Sequence, residues 1–270
     1  MCLLWQYGQP IPHPLKKTTD TDLPGQSIVE GETNPPKFRY LATIKQSYIQ
    51  RDIIISIQSY YMGRYITIEG QDGTGKTTLH KSLKRRISGD ITQSDKFLFI
   101  KEPYYRESIN LLKTTSHPLG RLGVFLLDRT HLMEEIILPA IQRGVTVVSD
   151  RSYISCEVYQ YLQMREKYPD LPDSQLDIMN TLIALRPREF PKISYIICLS
   201  APISVLRERI RNRGDGDRID DEYLTLLRKT YIDHVIRQRC GYTILDSSQY
   251  TKAELVEEAL DILIPPVGKK

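Results

Sequence analysis

The chain reads as an α/β protein, a parallel sheet of about five strands with helices on both faces, carried by residues 62–270. Three observations predict this. Short β-branched or apolar runs recur at 65–69, 97–100, 145–149, 195–199 and 242–245, with helical patterns between them, and such alternation builds parallel sheets. The first run leads straight into Gly70, Gln71, Asp72, Gly73, Thr74, Gly75, Lys76 and Thr77, a full match to GxxxxGK[ST]. Helical periodicity then begins: Leu79, Leu83 and Ile87 fall at i, i+4 and i+8, with Lys81, Lys84, Arg85 and Arg86 between them, so one face can pack on the sheet.

Strand, loop and helix in this order predict a phosphate-binding loop. Glycines let successive backbone N–H groups point at phosphate oxygens, and the helix N-terminus adds its positive end. Lys76 is expected on the β- and γ-phosphates of a nucleoside triphosphate, with Thr77 on Mg²⁺ and Thr78 beside the phosphates.

Composition bounds the partners. With 270 residues and 40% hydrophobic content, the chain can bury a sizeable core. A balance of 37 basic against 33 acidic residues is too mild to argue for nucleic acid and suits a solvated surface. Cys2, Cys156, Cys198 and Cys240 are scattered, with no CxxC and no histidine at ligand spacing, which predicts a reducing, intracellular, most simply cytoplasmic, compartment and no structural zinc. The longest apolar run near the N-terminus, 53–57, is far short of a membrane span or a signal segment.

Residues 1–61 differ from the rest. Pro10, Pro12, Pro14, Pro24, Pro35 and Pro36 punctuate them, and no period persists before about Ile53, so a poorly ordered extension, or a leader outside the working protein, is expected. Asp20, Asp22, Glu30 and Glu32 argue against a transit peptide. Met62 is the expected start of the folded domain.

Between 122 and 141 a long helix is predicted, with Leu122, Phe125, Leu126, Met133, Ile136, Ile137 and Ala140 on its apolar face. Arg129 shares that face. An arginine so placed needs an acidic partner, such as Glu134 or Asp128, a polar ligand, or an outlet to solvent. The strand near 145–149 then ends in Asp150 and Arg151, at the carboxyl edge where open α/β sheets bind ligands. There Asp150 suits Mg²⁺ or its water shell and Arg151 suits a phosphate clamp. Ser155 and Tyr159, four apart, face one way on a helix, either as helix-start chemistry with a core tyrosine or as pocket lining.

Further on, Arg207, Arg209, Arg211, Arg213 and Arg218 crowd 206–222. Spacing of two suits a salt-bridged surface helix. The break at Gly214 and Gly216 suits a mobile lid that carries Arg211, Arg213 and Arg218 over a triphosphate.

Together these residues resemble the thymidylate kinase family. Residues 70–78, GQDGTGKTT, are similar to its phosphate loop, and Lys101, Glu102 and Pro103 to its REP segment. Phe125 to Arg129 resembles its F-x-x-x-R helix, Asp150 to Gln160 its D-R-Y/H-x-x-S-x-x-A-Y-Q stretch, 211–220 its lid, and Leu245 to Gln249 its I-D-A-S-Q segment. The resemblance runs in order from about Tyr65 to the end.

The resemblance implies a P-loop nucleoside-monophosphate-kinase fold with a short bacterial-type lid, transfer of phosphate from ATP to dTMP, and a homodimer. It implies that Phe125 stacks on thymine, Arg129 bonds its exocyclic oxygen, and Asp72 sits by the deoxyribose 3′-hydroxyl and metal water. Arg151 would bridge the acceptor phosphate and the transferring group. Ser155, Tyr159, Gln160, Glu102 and Pro103 would complete the acceptor pocket, Tyr159 crowding a ribose 2′-hydroxyl. Since Gln71 and Thr74 are not basic, catalytic charge would come from Lys76, Arg151 and the lid residues Arg211, Arg213 and Arg218. Departures surround the acceptor pocket: Ser152 replaces an aromatic or histidine, Glu157 and Val158 a smaller pair, Tyr161 a glycine, and Tyr104 and Tyr105 a glycine pair. They bear on nucleotide preference more than on phosphoryl transfer.

Two other classes of function use the same motifs: a kinase for another deoxynucleoside monophosphate or for a deoxynucleoside, and a nucleotide-binding protein without turnover. A deoxynucleoside kinase acts on a neutral hydroxyl and needs a carboxylate base near the end of the first strand, where Glu69 stands. A nucleotide-binding protein without turnover would keep the loop, although no NKxD guanine signature is present.

Overall fold

The computed structural model describes residues 63–185, 190–214 and 220–265. The expected extension 1–61, Met62 and Arg218 lie outside the described residues.

Five strands form the sheet: β1 Tyr65–Glu69, β2 Phe97–Lys101, β3 Thr146–Asp150, β4 Tyr195–Ser200 and β5 Gly241–Asp246. They pair in the order β2-β3-β1-β4-β5, all parallel. β1 is central and buried along its whole length, as a strand covered on both faces must be. Ile68 and Lys101 both stand in register with Asp150, so Glu69, Lys101 and Asp150 end together at the carboxyl edge.

The helices are α1 Lys76–Ser88, α2 Arg106–Thr114, α3 Pro118–Leu132, α4 Leu138–Gln142, α5 Tyr153–Lys167, α6 Asp173–Ala184, α7 Ile203–Arg213, α8 Asp221–Ile236 and α9 Lys252–Leu263. Side chains alternate across a strand, and β1 divides accordingly. Ile66 and Ile68 join Leu79, Leu83 and Ile87 of α1 and Val256 and Ala259 of α9 in one buried cluster. Tyr65 joins Ile137, Ile154 and Tyr231 in the other. Among the described residues no helix is long and apolar enough to cross a membrane.

Two expectations change. The single helix predicted over 122–141 is broken: α3 passes through a π-helical turn, Met133–Ile137, into α4. Pro139 is the reason, since it has no N–H to continue the α-helical ladder and its ring crowds the preceding turn. Arg211 and Arg213 lie within α7 rather than on a loop beyond it. Gly214, left-handed at φ 71°, ends that helix.

Candidate active site

Gly70 leaves β1 at φ 133°, and a Cβ there would lie 2.2 Å from the Leu199 carbonyl oxygen. Only glycine fits this crossing. The turn is tied internally: Thr74 Oγ1 and Lys76 Nζ both donate to the Gln71 carbonyl at 2.8 Å. Burial and the Arg151 guanidinium push the Lys76 ammonium down to about 7, against the pull of Asp72, Asp150 and Glu69. Thr77 Oγ1 donates to Asp150 Oδ2 at 2.7 Å. The other Asp150 oxygen, Oδ1, is buried without a hydrogen-bond partner. Such a group is costly unless a cation or water completes it, and an oxygen-seeking divalent ion shared with phosphates fits this donor set.

Arg151 is the hub of the edge. Its backbone is left-handed at φ 81°, a conformation that costs a non-glycine residue roughly 1–2 kcal/mol. Its amide donates to the Ile68 carbonyl at 3.1 Å and Ser149 Oγ donates to its carbonyl at 2.6 Å, which hold the turn. Its guanidinium then reaches Asp72 Oδ1 at 2.5 Å, Ser155 Oγ at 3.1 Å and the Tyr231 hydroxyl at 3.2 Å. It also stands 5.4 Å from the centre of the Tyr159 ring, whose hydroxyl donates to Asp72 Oδ2 at 2.6 Å. Burial raises the Asp72 carboxyl, but Arg151, Lys76 and the Tyr159 bond outweigh it and hold it at about 2.

Behind this hub lies Glu69, fully buried. Ser152 Oγ and Ser155 Oγ donate to its two oxygens at 2.6 and 2.7 Å, and burial nevertheless pushes its carboxyl up to about 7. Ser152, the departure from an aromatic or histidine, therefore does two things: it caps α5 at the Ile154 amide and anchors Glu69.

Two cavities open on either side. One, of about 670 Å³, is lined by residues 72–78 together with Arg209, Arg213, Ser247, Tyr250 and Lys252. The other, of about 570 Å³, holds Glu102, Pro103, Phe125, Arg129, Ser155, Tyr159 and Gln160. Among the described residues three line both: Asp72, Lys101 and Arg151. In the second cavity Arg129 pairs with Glu102, not with Glu134 or Asp128: its Nη2 and Nε donate to Glu102 Oε2 at 3.0 and 3.1 Å. Asp128 is instead spent on the backbone amides of Tyr104 and Tyr105, at 2.8 and 2.9 Å. Arg129 Nη1 and Gln160 Oε1 are both buried with no hydrogen-bond partner. A donor and an acceptor thus remain unpaired on the wall of a cavity large enough for a nucleotide.

The structure brings most of the expected residues to these two cavities and places others elsewhere. Gly70, Gln71 and Asp150 line neither; Gln71 turns its amide to the Leu224 carbonyl at 3.3 Å, and Asp150 is buried behind Thr77, which donates to it. Arg211 is exposed on α7 and lines neither, because its position on the helix turns it away from the cavities that Arg213 and Arg209 reach. Ser155 lines the second cavity, but its hydroxyl is committed to Glu69, and Ser152 rather than Ser155 is the helix cap. Three contributors were not foreseen. Lys101 borders both cavities, and Arg209 ties the Gly73 carbonyl to Ser247 at 3.2 and 2.9 Å. Tyr231 holds Arg151 from α8. Lys101 and Arg209 had a signal, standing inside motifs already singled out; Tyr231 looked like any aromatic on an apolar helix face.

A phosphate loop on the central strand of a parallel sheet, opening onto a second cavity across an aspartate–arginine pair, places the chain among P-loop kinases of nucleotides. The model of the family described as thymidylate kinase matches residues 68–259, and the chain belongs to that family. It is 32% identical over 170 residues to the thymidylate kinase of Akkermansia muciniphila, covering 59% of this chain and 73% of that one. To the thymidylate kinase of Thermosipho melanesiensis it is 28% identical over 190 residues, 68% and 90% of the two chains. The crystal structure of thymidylate kinase from Ehrlichia chaffeensis shares the fold, with a TM-score of 0.52, 20% identity, and coverage of 75% of this chain and 99% of that one.

Proposed function

We infer that the chain catalyses ATP-dependent phosphorylation of dTMP to dTDP. The observation that carries the reading is the shared wall: a phosphate-loop cavity and a second, nucleotide-sized cavity meet at Asp72, Lys101 and Arg151. ATP takes the first and dTMP the second. Arg129 Nη1 donates to the thymine O4, the Gln160 carbonyl accepts from N3–H, and Phe125 lies against the ring. A cytosine or adenine reverses this donor and acceptor pattern and leaves both protein groups unpaired. Tyr159 packs beside the sugar and excludes a 2′-hydroxyl.

Phosphoryl transfer here is positioning and charge neutralisation. The acceptor phosphate is largely dianionic near neutral pH, its second pKa being about 6, so it attacks without a base. Lys76 leaves the Gln71 carbonyl for the β- and γ-phosphates, and phosphate oxygens beside it keep its ammonium charged. Arg151, already held by Asp72 and Tyr231, meets the acceptor phosphate and the transferring group. Arg213, and Arg218 beyond Gly214, bring further positive charge. Thr77 and Asp150 hold Mg²⁺, which supplies charge neutralisation at the phosphates when bound.

Glu69 does not serve as a nucleoside kinase's base in this arrangement, since both its oxygens are occupied by serines and it lines neither cavity. A homodimer is proposed through α2 and α3, where Ile109, Leu111, Leu119 and Leu127 are exposed; sedimentation as a monomer at micromolar concentration would refute it. The function is tested by coupled ADP release on the full chain with dTMP, dUMP, dGMP, dCMP and thymidine offered in parallel. Turnover is expected with dTMP, more weakly with dUMP, and not with thymidine. Activity on thymidine alone, or ATP binding with no acceptor-dependent ADP release, overturns the reading.

A further inference from the structure

We propose that Lys101 is a catalytic residue of this reaction, its ammonium touching the acceptor phosphate and the transferring group where the two cavities join. The proposal rests on the function inferred above. Lys101 closes β2 in register with Asp150 on β3, which carries its exposed side chain to the carboxyl edge. Of the three residues that line both cavities, the other two, Asp72 and Arg151, form an ion pair at 2.5 Å. That pair largely cancels its own charge. Two phosphate anions meeting there therefore depend on further cations.

Of the other basic residues, Arg213 and Lys252 line only the loop-side cavity and Arg121 only the second one, so none of them spans the junction. Lys76 belongs to the loop side alone, and Arg209 is spent on Gly73 and Ser247. Arg211 lines neither cavity, and Gln71 and Thr74 carry no charge. Lys101 is the side chain whose position spans both substrates and whose charge is not already paired to Asp72.

In the step, an oxygen of the acceptor phosphate bonds to the γ-phosphorus while the bond from that phosphorus to the β–γ bridging oxygen breaks. The bonding pair leaves with ADP, and no proton has to move. A fixed cation at the junction reduces the repulsion between the two anions and stabilises charge on the oxygens of the group in flight.

Lys101→Met keeps the length of the stem and removes the charge, and Lys101→Arg keeps the charge. With both substrates saturating, Lys101→Met is expected to lower kcat by about 10–100-fold with the KM for ATP within about threefold, and Lys101→Arg to recover part of that loss. A second readout is calorimetric titration with a bisubstrate analogue, thymidine and adenosine joined through a chain of phosphates. Lys101→Met should weaken this analogue by about tenfold or more while ADP affinity stays within about threefold. A kcat close to wild type in Lys101→Met, or an equal loss in both variants, overturns the assignment. If the wild-type chain binds the analogue but does not phosphorylate dTMP, the function falls, and unchanged analogue affinity in Lys101→Met then removes Lys101 as well.

Discussion

Replacing Arg129 alone strands a buried carboxylate. Glu102 is only 4% exposed, and one of its oxygens accepts both bonds from Arg129, at 3.0 and 3.1 Å. The Tyr65 hydroxyl, at 3.4 Å from the other oxygen, is too distant to compensate. Removing one partner of a buried pair costs about 3–5 kcal/mol, so Arg129→Met is expected to lose about 3 kcal/mol or more of unfolding free energy at pH 8. Glu102→Gln combined with Arg129→Met removes both charges and should recover most of the loss. The sign of the pH dependence follows. Burial already raises the Glu102 carboxyl against the pull of Arg129; without the arginine it rises further, and the folded state holds a proton that the unfolded chain releases. The deficit therefore shrinks as pH falls from 8 toward 5. Urea unfolding followed by circular dichroism at both pH values measures it, an unchanged m-value showing that the unfolded state is unaltered. The same substitution removes the donor facing the acceptor base and should raise the KM for dTMP by about 10–100-fold, with the KM for ATP unchanged. A single variant that loses less than about 1 kcal/mol at pH 8, or a double variant no more stable than the single, refutes the reasoning.

The other predictions concern the loop and the hub. Lys76→Ala and Arg151→Ala should each lower kcat by about a hundredfold or more, read by ADP release; near-normal turnover in either would remove that residue from the chemistry. Gly70→Ala places a Cβ 2.2 Å from the Leu199 oxygen at φ 133°, so it should cost about 2 kcal/mol or more and abolish ATP binding, and a stable, ATP-binding variant would contradict the crossing described. Glu69, with a folded pKa of about 7 against an ordinary value of 4.5, favours the protonated folded state. Its contribution is present in full below about pH 4.5 and is lost as pH rises through about 7. Glu69→Gln should flatten the decline in stability between pH 5 and 8, and an identical pH profile in the variant would show that another group governs it.

Much of the fold was legible because its signals are short-range. Period-two and period-3.6 patterns report which face of a strand or helix meets the core, and the spacing of glycines before Lys76 and Thr77 dictates a backbone turn within a few residues. The five strands, the phosphate loop and the buried face carrying Arg129 follow from such local rules. The glycine break at Gly214 was legible too, but Arg213 lines the loop-side cavity from within α7 and not from a loop beyond it. Pro139 was visible in the sequence as well, and the π turn it forces was not, since accommodation depends on what α3 packs against.

Partner choice is what the chain alone did not decide. Glu102 lies 27 residues from Arg129 and Tyr231 lies 80 from Arg151; nearer acids such as Asp128 were equally acceptable as partners until the segment after β2 ran beside α3 and brought Glu102 to Arg129. Ser152 and Ser155 became the partners of Glu69 only when β1 and β3 ended side by side. From spacing and periodicity alone the sequence determined which segments are strands and helices, which residues form the phosphate loop and which arginine is buried. Tertiary packing decided which acid neutralises that arginine, that Gln71 and Arg211 turn away, and that Asp72, Lys101 and Arg151 stand between two cavities. The physical reason is range: backbone preference and amphipathic period act within a turn or two, whereas the match of a buried charge to its counter-charge is made only when remote elements exclude water together.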